Sequence, residues 1–146
     1  ISQVAVMINH IERTRLQLEN LQTLLAAQGS HDDSVIQAAK QLEEKAVAVE
    51  AKLINVQNTG RSEDAFRSSI QLYGRLGWLI TDMDGRPGSG TGGGDMAPTD
   101  QALAAFRELK ADLVPLQAQF KQLVDSQTPD FNKLLKQNHL SAAIEP

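Results

Sequence analysis

The residues able to do chemistry fall into a few small groups. Gly88-Ser89-Gly90-Thr91-Gly92-Gly93 matches G-x-G-x-x-G, the pattern that lets a backbone approach a pyrophosphate at a helix N-terminus. That chemistry needs a strand before the loop and a helix opening directly after it. Here a helical pattern comes first, Pro98 stands before the next helix, and no βαβ unit is present. The match reads as a by-product of a glycine run, and no Gly-Lys-Ser/Thr follows that would make a P-loop. Asp82, Asp84, Gly85 and Asp95 suggest a calcium loop. Counting from Asp82, however, the sixth residue is Pro87 and the twelfth is Gly93, where an EF-hand needs Gly and a bidentate Glu. An acidic helix end and a solvated loop explain these residues better.

His10, His31 and His139 stand alone, without the H-E-x-x-H or Glu-x-x-His spacing that would put a second ligand on the same helix face. His31 with Asp32 and Asp33 reads as a polar turn, and His10 as a helix-surface residue. There is no cysteine, hence no thiol nucleophile, disulfide or Cys-ligated metal. No Ser/His/Asp set stands out, and pairs such as Glu12-Arg13 and Glu43-Glu44-Lys45 read as solvated helix faces. The expectation is a segment with no catalytic residue, no cofactor and no metal.

Charge narrows the partners. The net charge is -4 and the pI about 5.3. No Lys lies between Lys52 and Lys110, and no three basic residues are consecutive. Phosphate neutralisation needs clustered Lys and Arg, so nucleic acid is not an expected partner. No apolar run approaches the roughly 20 residues that span a bilayer. The chain opens at Ile1 and almost at once in a helix, which predicts a fragment of something longer, with any targeting signal upstream.

What would position these residues is a set of helices. Val4, Met7, Ile11, Thr14, Leu18, Leu21 and Leu25 recur in steps of three and four, as do Val35, Ala39, Leu42, Ala46, Val49, Leu53 and Val56. Such stripes must face other helices. The spacing predicts a first helix from Ser2 to about Gly29 and a second ending near Asn58, with Gly60 beyond it. Each is about 25 residues, or roughly 37 Å. The short Gly29–Ser34 turn makes them an antiparallel hairpin.

After a polar link, Thr59 to Asp64, a third helix is expected with Phe66, Ile70, Tyr73, Leu76, Leu79, Ile80 and Met83 on a wide apolar face. Gly74 and Gly77 lie inside it, either to admit another backbone or as tolerated weak points. Asp84 to Pro98 holds six of the ten glycines and reads as a flexible linker. Thr99 is a natural N-cap for a fourth helix, striped by Ala102, Phe106, Leu109, Leu113, Leu116, Phe120 and Leu123. Pro115 predicts a kink. Thr128-Pro129 reads as N-cap and first residue of a short fifth helix to about Gln137, followed by a tail, Ser141 to Pro146.

Several blocks occur in a familiar order: Leu53-Ile54-Asn55-Val56 through Gly60, Ile70-Gln71-Leu72, Gly85-Arg86-Pro87, Pro98-Thr99, Phe106 and Phe131-Asn132-Lys133-Leu134-Leu135. Together they resemble the C-terminal helical region of bacterial BNR-repeat glycosyl-hydrolase-like or sortilin-like β-propeller proteins. Ile11-Glu12-Arg13-Thr14-Arg15-Leu16-Gln17-Leu18-Glu19 resembles that region's I-R-x-x-R-x-Q-L-E stretch. The resemblance covers most of the chain and is strongest from about Lys52 to Leu135. One departure is the insertion of Gly88 to Ala97 between elements that the family joins directly. The resemblance implies a secreted or periplasmic parent whose propeller blades carry any glycan chemistry. It supplies no site residue for this segment.

The sequence therefore predicts an all-α domain over 1–146, an antiparallel four-helix bundle with a short fifth C-terminal helix and a Gly-rich loop between helices three and four. The expected role is a non-catalytic accessory module that contacts its own propeller or another protein, with Trp78 as the candidate contact. Alternatives are a bundle that homodimerises and a small-ligand sensor with a pocket among Phe66, Tyr73, Trp78 and Phe106.

Overall fold

The computed structural model describes residues 1–27, 33–56, 69–83, 98–141 and 143–145. Among them the protein is all-helical, with no strand. The elements are α1 (Ser2–Ala27), α2 (Asp33–Leu53), α3 (Leu72–Met83), α4 (Asp100–Gln122), a π-helical turn (Leu123–Gln127) and α5 (Thr128–Gln137).

The first stripe is buried at every position from Val4 to Leu25, joined by Ile8. The second is buried from Val35 to Leu53. Two polar links give the register. Arg15 pairs with Glu50, and Gln22 Nε2 donates to Glu43 Oε2 at 3.0 Å. Seven residues up α1 correspond to seven residues back along α2, so the two helices run antiparallel over two turns. Val56 does not belong to the seam. α2 ends at Leu53 instead of near Asn58, and Val56 lies past that end, 70% exposed. Here Asn55 Nδ2 donates to the Ser69 carbonyl (3.1 Å), drawing the approach to α3 against the end of α2. Gly29 and Gly60, read as helix stops, lie outside the described residues, as does the Gly-rich loop.

α2 is the hub, contacting every other helix and the π turn. Lys52 reaches Gln119 of α4, while Lys45 and Val49 face Gln122, Leu123 and Gln127 further along. Descending α2 thus means ascending the C-terminal rod, a second antiparallel seam.

α4 starts as its sequence predicts. Thr99 is extended (φ -66°, ψ 156°) and its hydroxyl accepts from the Ala102 N–H at 3.1 Å. Ala102, Leu109, Leu116 and Leu123 are buried at intervals of seven, whereas Leu113 and Phe120 are half-buried and Phe106 is 47% exposed. α4 continues through Pro115, and the backbone changes its hydrogen bonding eight residues later. There Thr128, expected to be an N-cap, is instead helical (φ -65°, ψ -46°) and buried, and its N–H bonds to the Leu123 carbonyl five residues back. The wide turn directly precedes Pro129, which has no N–H and crowds the carbonyl four residues back. α4 and α5 therefore form one rod with a π turn inside it.

The rod ends at a Schellman motif. His139 is left-handed (φ 57°), its N–H bonds to Lys136, and the Leu140 N–H bonds to Leu135. Beyond this cap, where a tail is expected, residues 143–145 return to the bundle. Ile144 is 2% exposed within the main apolar cluster, held by Asn132.

α3 is shorter than expected. It begins at Leu72; Ile70 precedes it, and Phe66 lies outside the described residues. Leu72 and Leu76 are buried, Tyr73 and Leu79 half-buried, and Ile80 and Met83 exposed. Among the described residues α4 and α2 pack against α3, and the Ile80 and Met83 end of its apolar face stays exposed. A Cβ at Gly74 would sit 2.6 Å from Ile70 Cγ2, and one at Gly77 would meet nothing within 4 Å. Among the described residues, no helix backbone approaches either glycine.

Candidate functional site: the α3–α4 corner

Trp78 is 60% exposed. It lies on the edge of α3 that carries Arg75, Leu79 and Asp82, and with Ala105 and Leu109 of α4 these residues line a groove of about 420 Å³. Helical spacing makes the arrangement. Leu72 and Leu76 turn into the core, which leaves Arg75, Trp78 and Asp82 on the adjoining flank. Arg75 Nη1 meets Asp112 Oδ2 at 3.2 Å. Both partners are solvated, so the link orients α3 on α4 more than it stabilises it. The corner presents an indole and aliphatic carbon with both charge signs alongside. That chemistry suits recognition of a surface.

Of the four aromatics proposed to form a sensor pocket, Phe66 lies outside the described residues. Trp78 lines the corner groove, but Tyr73 and Phe106 are not among its walls.

A second polar feature does not stand out in the sequence. Glu50, on α2, is only 4% exposed and accepts from Arg15 Nη1. Arg15 Nε and Glu50 Oε1 are buried without a hydrogen-bond partner. The pair forms one wall of a groove of about 370 Å³ that also includes Val47, Ile54, Asn55, Val56 and Gln71. Glu50 is the one carboxylate among those lining residues, whereas glycoside hydrolysis ordinarily needs two facing carboxyl groups. The signal was present in the spacing, because Glu50 follows Val49 and stands four after Ala46, at the margin of the stripe.

His10 is half-buried, its ring edge-on to Phe120 of α4 (centroids 5.2 Å, 89°). Burial, and then the nearby Arg13 charge, hold its pKa below the ordinary 6.5. His139 occupies the C-terminal cap of the rod, and His31 lies outside the described residues. Among the described residues no three His, Asp or Glu side chains come together as a metal site would require. Asp84, Asp95 and the G-x-G-x-x-G match lie outside them. No helix among the described residues is long and apolar enough to cross a membrane. Comparison of the chain with protein families, curated proteins and solved structures gives no match.

Proposed function

We propose that residues 1–146 form one non-catalytic helical-bundle module that mediates protein–protein contact through the α3–α4 corner, with Trp78 at its centre. The observation that carries this reading is Trp78 itself, a large side chain left 60% exposed beside an apolar groove. Trp is enriched among residues that dominate interface energies, because it buries much area with little loss of freedom. The resemblance to helical regions that follow bacterial BNR-repeat or sortilin-like propellers supplies the partner: the propeller of the parent protein, in a secreted or periplasmic setting. The module needs no cofactor or metal for this role.

A homodimer built on the two strict stripes is the competing assignment. Those stripes are already consumed within one chain, since every position but Val56 is buried. A dimer would have to use another surface.

The test is binding of the purified module to its parent's propeller, with Trp78→Ala in parallel and sedimentation of the module alone. Saturable binding weakened at least tenfold by Trp78→Ala is expected. Binding unaffected by the substitution would move the contact elsewhere, and no binding with concentration-dependent dimerisation would favour the competing assignment. Glycoside turnover by the module, lost on a single carboxylate substitution, would overturn the non-catalytic reading.

A further inference from the structure

Side chains of α1 and α5 hold the backbone of Ile144 and Glu145 between them. Asn132, on α5, turns its amide toward Ile144. Its Nδ2 donates to the Ile144 carbonyl and its Oδ1 accepts from the Ile144 N–H, each at 2.7 Å. One side-chain amide satisfying both main-chain groups of one residue does what a neighbouring strand edge does in β-augmentation. On the opposite wall, Gln17 Oε1 of α1 accepts the Glu145 N–H at 2.9 Å. Between them the Ile144 side chain is buried in the cluster that includes Leu18, Leu21 and Leu135.

Three bonds therefore recognise main chain, and one socket recognises an aliphatic side chain. None of the three uses a side chain of the segment being held. The segment is not helical, so the Ile144 N–H and C=O and the Glu145 N–H are satisfied by these side chains and not by a helix ladder. The arrangement has the parts of a peptide-recognition site: bonds to the backbone for affinity and a pocket for one residue type for selection.

We propose that the α1–α5 cleft is a recognition site for a non-helical peptide segment bearing one aliphatic residue, and that residues 143–145 of this chain are its resident occupant. The segment acts as a removable strap tying α1 to α5. The site lies apart from Trp78 and does not depend on the role assigned to that corner.

The test uses the full chain carrying Ile144→Asp, which places a charge where the socket is apolar and releases the strap. The probe is a fluorescent peptide with the sequence of residues 141–146. The released variant should bind it, and the unmodified chain should bind at least tenfold more weakly, because its own strap competes at an effective concentration of order millimolar. Adding Asn132→Ala to the released variant should weaken the peptide at least tenfold. Hydrogen exchange on the unmodified chain gives a second readout. The Ile144 and Glu145 amides should be protected, and Asn132→Ala should speed their exchange at least tenfold. A folded Ile144→Asp variant that ignores the peptide overturns the proposal, as does equal binding by the unmodified chain. Unfolding of that variant also overturns it, since the segment would then be integral core. Free-peptide exchange rates at both amides would show that the strap is not held at all.

Discussion

The α1–α2 hairpin and the α3–α4 corner are both made of aliphatic residues at helical spacing, yet they end up differently. In the hairpin the stripe of each helix meets the other, and from Val4 to Leu25 and Val35 to Leu53 every stripe position is buried. At the corner, twelve-residue α3 meets longer α4 along one edge, leaving Trp78, Ile80, Met83 and Phe106 in solvent. Spacing says which residues share a face. Whether that face is covered depends on the length and number of the partners, which lies outside any one helix. Apolar residues that are unmatched in this way are the ones available for another molecule.

Substitutions can break this contrast, and the largest effects belong to the hairpin. Leu18→Ala and Leu42→Ala should each cost about 2–5 kcal/mol, the range for a buried Leu. Phe106→Ala should cost under ~1 kcal/mol, as changes away from a packed core do. Chemical denaturation would measure all three, and equal losses would erase the distinction between the regions.

The next effect tests the polar link inside the hairpin. Arg15→Met leaves the Glu50 carboxylate buried without its cation and should cost about 2–4 kcal/mol. Adding Glu50→Leu should recover most of that loss, because replacing both partners of a buried pair with apolar groups is often neutral. A double variant no better than the single would mean the pair contributes more than mutual neutralisation.

Smaller effects sharpen the corner. Gly77→Ala adds a methyl that meets nothing and removes backbone freedom from the unfolded chain, a gain of about 0.5–1 kcal/mol. Gly74→Ala would press on Ile70 and should forfeit that gain. Thermal melts of the two variants should therefore move apart.

The smallest effect concerns pH. The His10 pKa is lower in the folded protein than in the unfolded chain, so the unfolded chain binds the proton more readily. Above about 6.5 the folded state carries no penalty from this difference. The penalty grows as pH falls through that value and is complete below the depressed folded pKa. Between pH 7.5 and 5 the melting temperature should therefore fall further in the unmodified chain than in His10→Gln. Parallel falls in the two would remove His10 from the pH response.

Much of this fold was legible in the residues. The hairpin seams and the Thr99 cap depend on neighbours within one or two turns, and periodicity reports such neighbours well. Val56 and Phe106 continue their stripes in sequence but are exposed, with no described helix covering them. Thr128-Pro129 has the residue types of a helix start, and the preceding wide turn lets the helix run through it. Glu50 and Ile144 escape a reading of the sequence for a common reason. Glu50 stands among Ala46, Val49 and Leu53, and Ile144 between Ala143 and Glu145; each neighbourhood allows burial, but the distant partner that accompanies it, Arg15 or Asn132, comes from the fold. Trp78 was legible as an exposed residue of helix three; the Ala105 and Leu109 wall that completes its groove needed the three-dimensional arrangement.

The π turn controls the rotational phase of everything after it. Upstream, the buried positions fall at 102, 109, 116 and 123; continued, that count would bring Asp130 inward, but Asp130 is exposed. Downstream, Thr128, Phe131 and Leu135 face the core. A π turn takes about one residue more than an α turn, so it behaves as a one-residue insertion that resets the face of α5. Deleting one residue between Val124 and Gln127 would let ordinary α hydrogen bonds close and turn α5 by roughly 100°. Phe131 and Leu135 would leave the core, and the Asn132 amide would swing off Ile144. The grip on Ile144 and Glu145 is thus set by a residue count a full turn upstream.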